Sequence, residues 1–175
     1  AGAGDMDGDG YGDLMVGDPG YSSNAGRVFV YLGGAAGPST TPALTLTGTA
    51  GSRLGSCVAS AGDVNDDGFA DLVVGAEGYS NGQAGEGAAF VYLGSPDALP
   101  SAPSWTIEMN QAGAALGACV TSAGDVNGDG YSDVIVAAPG YDTALADAGR
   151  VRVYPGSASG VVNTALWTES GDQAG

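Results

Sequence analysis

At 175 residues the chain fits one ordinary domain with a core of its own, and its 43% hydrophobic content excludes a disordered chain despite 33 glycines. Twenty acidic residues stand against four Arg, with no Lys and no His, for a net charge of −16. That balance excludes a nucleic-acid partner, because phosphate contacts need a basic surface, and the missing His excludes Ser-His-Asp and Cys-His catalysis. No apolar run approaches the roughly 20 residues of a membrane helix, so membrane insertion is not expected. No secretory signal precedes Ala1, although one removed from a precursor would leave no trace.

In chain order, Ala1–Gly4 leave almost nothing of a strand before a crowded acidic stretch, AGDMDGDGYGDLMVGDPGY (3–21). It runs into an apolar strand, Leu14-Met15-Val16, then GRVFVYLG (26–33) and ALTLTG (43–48). RLGSCVASAG (53–62) reads as a strand leading into a second acidic stretch, AGDVNDDGFADLVVGAEGY (61–79), followed by GAAFVYLG (87–94) and SWTIEM (104–109). ALGACVTSAG (115–124) opens a third round, with AGDVNGDGYSDVIVAAPGY (123–141), GRVRVYPG (149–156) and ALWTES (165–170). Short alternating segments between Gly- and Pro-rich turns, with no 3.6-residue pattern, predict an all-β fold. The first Asp of the acidic stretch recurs at positions 5, 63 and 125. A repeat of that length suits a four-stranded antiparallel blade. The expectation is a single repeat region over 1–175, with repeats at about 1–52, 53–114 and 115–175. It would form about three β-propeller blades and eleven strands, the first blade lacking its first strand.

Each acidic stretch reads D-x-[D/N]-x-D-G-x-x-D. Asp5, Asp7, Asp9 and Asp13, then Asp63, Asp66, Asp67 and Asp71, then Asp125, Asp129 and Asp133 hold eleven of the 20 acids. Such crowding costs free energy unless something positive sits inside it. Side chains at positions 1, 3 and 5 can point inward if the loop curls, and Gly10, Gly68 or Gly130 at position 6 allows the curl. The position-7 carbonyl (Tyr11, Phe69, Tyr131) and the position-9 Asp can close the shell. The candidate ligands are therefore Asp5, Asp7, Asp9, Tyr11 and Asp13; Asp63, Asn65, Asp67, Phe69 and Asp71; and Asp125, Asn127, Asp129, Tyr131 and Asp133. All-oxygen ligation favours Ca²⁺, about three ions per chain, over Mg²⁺ or a soft metal. The stretch is not an EF-hand, since Val16, Val74 or Val136 stands where that loop needs its Glu. The plainer reading is an Asp- and Gly-rich hairpin turn without a metal.

These stretches resemble the FG-GAP repeats that build the calcium-binding β-propeller of integrin α subunits and many bacterial surface proteins. The acidic loop matches position by position. The motifs that give the family its name are altered, to Leu54-Gly55 and Leu116-Gly117, and to Gly17-Asp18-Pro19, Gly75-Ala76-Glu77 and Ala137-Ala138-Pro139. The resemblance implies a propeller with its calcium loops on one face, working outside the cell or on its surface. It transfers no ligand-recognition residues.

The expected function is an adhesion or scaffolding module in which Ca²⁺ rigidifies the loop between strands one and two of each blade. Its partners would be other copies of itself or the rest of a longer propeller, with a protein or glycan as ligand. The alternatives are a structural subunit of a head-to-tail filament or shell, and a carbohydrate-binding propeller. No enzyme is expected, since Glu77, Glu86, Glu108 and Glu169 show no shared constellation. Cys57 and Cys119 occupy equivalent positions, read as two small buried residues too far apart for a disulfide, with a bond between inner strands as the other reading. Trp105 and Trp167 are expected to anchor blades, and Arg27 and Arg150 to pair with carboxylates.

Overall fold

The computed structural model describes residues 1–175 and contains three four-stranded antiparallel sheets in propeller-like blades that do not close into a ring. The first sheet orders β1 (Gly2–Gly4), β2 (Asp13–Asp18), β3 (Arg27–Tyr31) and β4 (Leu44–Thr47) side by side. The second holds β5 (Leu54–Gly62), β6 (Asp71–Ala76), β7 (Ala88–Tyr92) and β8 (Trp105–Glu108), and the third β9 (Cys119–Gly124), β10 (Asp133–Ala138), β11 (Arg150–Tyr154) and β12 (Trp167–Ser170). Each strand pairs with its sequence neighbour, as short hairpins favour. The only helix is a single turn, α1 (Tyr21–Asn24), in which Ser22 and Ser23 take left-handed backbone angles. No helix is long and apolar enough to cross a membrane.

Twelve strands form rather than eleven. β1 restores the first strand of the first blade, pairing Gly2 with Leu14 and Gly4 with Asp13. Three residues of Gly and Ala carry no period-2 signal of their own, so the partner strand decides their conformation. The opposite adjustment occurs in the third blade, where the first strand starts only at Cys119.

The core lies between the sheets. Met6, Met15, Val28, Val30 and Leu44 of the first blade meet Leu72, Val74 and Tyr92 of the second. Val64, Val73, Val91 and Trp105 of the second meet Val134, Val136 and Tyr154 of the third. β6 is therefore buried on both faces, whereas Leu14 and Val16 at the matching places of β2 are exposed. Backbone seams reinforce the packing through parallel bridges between Gly26 and Leu54 and between Gly87 and Leu116. A side chain at Gly17 or Gly75 would collide with the carbonyl of Gly55 or Gly117, so these close approaches require glycine. Ala137 occupies the same place in the third blade, paired across from Val151 as Gly75 is from Ala89.

Arg27 pairs with Asp18 at 3.3 Å and lies 3.7 Å over the Tyr21 ring. Arg150 does not find a carboxylate. It donates to Ser170 at 2.8 Å and stacks 3.8 Å over Tyr141, the aromatic face substituting for an anion. Trp105 anchors blades as expected, in an edge-to-face contact with Tyr154 at 5.1 Å. Trp167, its counterpart, is 50% exposed on the outward face of the third sheet.

Candidate metal centre

Each acidic stretch folds as the loop between the first and second strands of its blade. The position-1 carboxylate gathers the backbone of its own loop. Asp5 accepts from the N–H groups of Gly8 and Gly10 at 2.8 and 2.9 Å, Asp63 from Gly68 at 2.8 Å, and Asp125 from Gly128 and Gly130 at 2.7 and 2.9 Å. The position-5 carboxylate caps the N–H two residues on, at Tyr11, Phe69 and Tyr131. Gly10, Gly68 and Gly130 hold φ of 90°, 91° and 96°, the left-handed turn that brings these donors round. The donors also favour ionised Asp125, whose carboxyl is held below its usual range chiefly by Gly130 N–H.

The position-9 residues, Asp13, Asp71 and Asp133, are buried and open the second strand of each blade. Asp71 accepts from Val64 N–H at 2.7 Å and from Gly94 N–H at 2.8 Å, tying its loop to the end of the third strand. Asp13 does the same with Met6 and Gly33, and Asp133 with Val126 and Gly156. These glycine ties escaped the sequence reading, although the Gly that closes GRVFVYLG, GAAFVYLG and GRVRVYPG recurs in all three repeats. Burial pushes the Asp71 carboxyl up to about 6, against the pull of the two N–H donors and with the charges of Asp67 and Asp63 adding to the rise. Burial likewise raises Asp7, helped by the charges of Asp9, Asp13 and Asp5.

The three loops differ in how their ligand candidates meet. In the first, carboxylate oxygens of Asp5, Asp7 and Asp13 lie within 4.8 Å of one another, the one place in the chain where three acids converge so closely. Asp9 lies outside that group. In the second and third loops Asn replaces the position-3 acid, and Asn65 and Asn127 donate their amides to Asp67 and Asp129 at 2.8 Å. Asn65 Oδ1 is left buried without a partner. A convergent oxygen set, an orphaned oxygen acceptor and carboxylates whose ionisation is resisted are the features that a hard cation satisfies.

The loops also join the blades. The Asp5 carbonyl accepts from Ala70 N–H at 2.8 Å and the Asp63 carbonyl from Ser132 N–H at 2.9 Å, each donor sitting just before the position-9 Asp of the following blade. Among the other acids, Glu77 pairs with Arg53 at 3.1 Å and Glu169 is exposed. Glu86 and Glu108 share one structural partner: Asn81 donates its backbone N–H to the first and its side-chain amide to the second. The long loop between the second and third strands makes that meeting, and nothing in local spacing signals it.

Comparison with known proteins adds a lineage to this geometry. The FG-GAP repeat model matches residues 58–92 and 120–154, and an FG-GAP-like repeat model matches 5–74. The chain is 37% identical to integrin alpha-5 of Xenopus laevis over 163 residues, and 36% identical to integrin alpha-IIb of Homo sapiens over 162 residues. Each alignment covers 86% of this chain and 15% of the relative. It is also 36% identical over 147 residues to the phosphatidylinositol-glycan-specific phospholipase D of Mus musculus, across 77% of this chain and 17% of that protein. The chain thus spans about 15% of the length of the integrin relatives. With repeat models matched to all three acidic loops, the chain belongs to the FG-GAP repeat family.

Proposed function

We propose that this chain is an extracellular, calcium-binding propeller module that serves adhesion or surface scaffolding as part of a longer propeller. The observation that carries the reading is the convergence of Asp5, Asp7 and Asp13 in a chain with no Lys or His to neutralise them. In this reading each loop holds one Ca²⁺ through its position 1, 3, 5 and 9 side chains and its position-7 carbonyl. The ion neutralises the crowded carboxylates and stiffens the hairpin, and through the Asp5 and Asp63 carbonyls it steadies the next blade. The module is a binding element rather than an enzyme, since a shell of protein oxygens leaves no open position for substrate. Kinship with integrin alpha subunits supports adhesion as the setting.

The test is calcium binding with and without Asp129→Ala. Calorimetry should count about three ions on the parent chain and one fewer on the variant, and exhaustive chelation should lower the melting temperature, because ligand binding to the native state alone adds stability. Melting that ignores chelation would refute the reading.

A head-to-tail assembly of this chain is the second reading. The first and third blades favour it, since Leu14 and Val16 of β2, Val126 of the third acidic loop and Trp167 of β12 are exposed.

A further inference from the structure

We infer that Cys57 and Cys119 form a disulfide across the seam between the second and third blades when the chain meets an oxidising thiol–disulfide pool. Both stand as free thiols on the first strands of adjacent blades, Cys57 half-buried on β5 and Cys119 exposed at the start of β9. The backbone of β9 holds Cys57 in place. Its thiol donates to the Val120 carbonyl at 3.5 Å, and Val120 N–H donates back to Cys57 Sγ at 3.3 Å. That N–H belongs to the peptide unit joining Cys119 to Val120, so Cys57 Sγ lies against the residue that carries its partner. Burial pushes the Cys119 thiol up, and the neighbouring Cys57 adds to the rise. The sequence suggests that the two cysteines lie too far apart for a bond; in the fold β5 packs directly against β9, and Cys57 Sγ reaches the backbone next to Cys119.

The chemistry balances with a low-molecular-weight disulfide as oxidant. The exposed Cys119 thiolate attacks it, forming a mixed disulfide and releasing one small thiolate. Cys57, deprotonated, then attacks Cys119 Sγ and expels the second. Two protein thiols become one disulfide, two electrons pass to the oxidant, and its two thiolates take up the two protons. The product closes a loop of about 60 residues and ties together the seam that buries Trp105 against Tyr154.

The experiment incubates the reduced full chain with oxidised glutathione and digests it unreduced with a protease that cuts before Asp. The expected result is a loss of two hydrogens, a Cys57 peptide linked to a Cys119 peptide, no glutathione adduct, and monomer on a non-reducing gel. The bridged chain should also melt several degrees higher, in calcium and after chelation, while Cys119→Ser shows no shift under the same treatment. Glutathione retained on either Cys, disulfide-linked dimers, or two thiols still titratable would each overturn the inference.

Discussion

Asp67 and Asp71 stand four residues apart in one loop and do different work. Asp71 is buried and satisfies two backbone N–H groups, whereas Asp67 is exposed and caps one. Asp71→Ala orphans both buried donors and should cost about 2–5 kcal/mol even without metal. Asp67→Ala should cost no more than about 1 kcal/mol in chelator and should instead lose the calcium-dependent part of stability from that loop. Urea unfolding of both variants with and without chelator separates the roles; equal losses in chelator would reject the division. Tyr92 gives a pH signature at the same scale. Burial raises its phenol from 10 to about 12, so the fold prefers the neutral ring. That contribution is whole below pH 10 and is lost as pH climbs through about 12. Tyr92→Phe should flatten the alkaline fall in stability by about 3 kcal/mol, read as unfolding free energy against pH.

At the scale of the element, equivalent residues diverge because their sheets face different neighbours. Trp105 and Trp167 both open the fourth strand, yet one is 5% exposed and the other 50%. Trp105→Ala should cost about 3–5 kcal/mol by emptying the seam, and Trp167→Ala close to nothing in this chain alone. Gly75→Ala puts a methyl group into the Gly117 carbonyl and should cost about 1–3 kcal/mol, or more if the seam cannot widen. Chemical denaturation of the three variants tests the ordering. Much at this scale was legible in the sequence. The three acidic loops and the strands beside them are local patterns, and a period of two or a turn glycine needs no distant partner to express itself. β1 was not legible, because Gly-Ala-Gly acquires its conformation from β2. The Asp71–Gly94 tie spans 23 positions, and only the folded hairpins reveal it.

For the whole molecule, the seams matter more than the sheets. Each blade depends on its neighbour for one buried face, and the acidic loops pass hydrogen bonds from blade to blade. The outward faces retain the apolar side chains that the seams use elsewhere: Val126 is 56% exposed where Val64 is fully buried. Light scattering should therefore show mass rising with concentration, and the double variant Leu14→Glu, Trp167→Glu should hold the chain monomeric. A parent that stays monomeric at every concentration would remove the assembly reading and leave the longer-propeller reading standing.

The sequence by itself determined the all-β class, the repeat, the oxygen-rich loops and the family, since each is written in spacings of a few residues or in their recurrence. Only the tertiary structure decided which of three similar strands is buried on both faces, which of two tryptophans anchors a seam, and that Cys57 meets the strand carrying Cys119, 62 positions away. Local chemistry is the same in each repeat. What differs is the neighbour across the seam, and a neighbour exists only once the chain has folded.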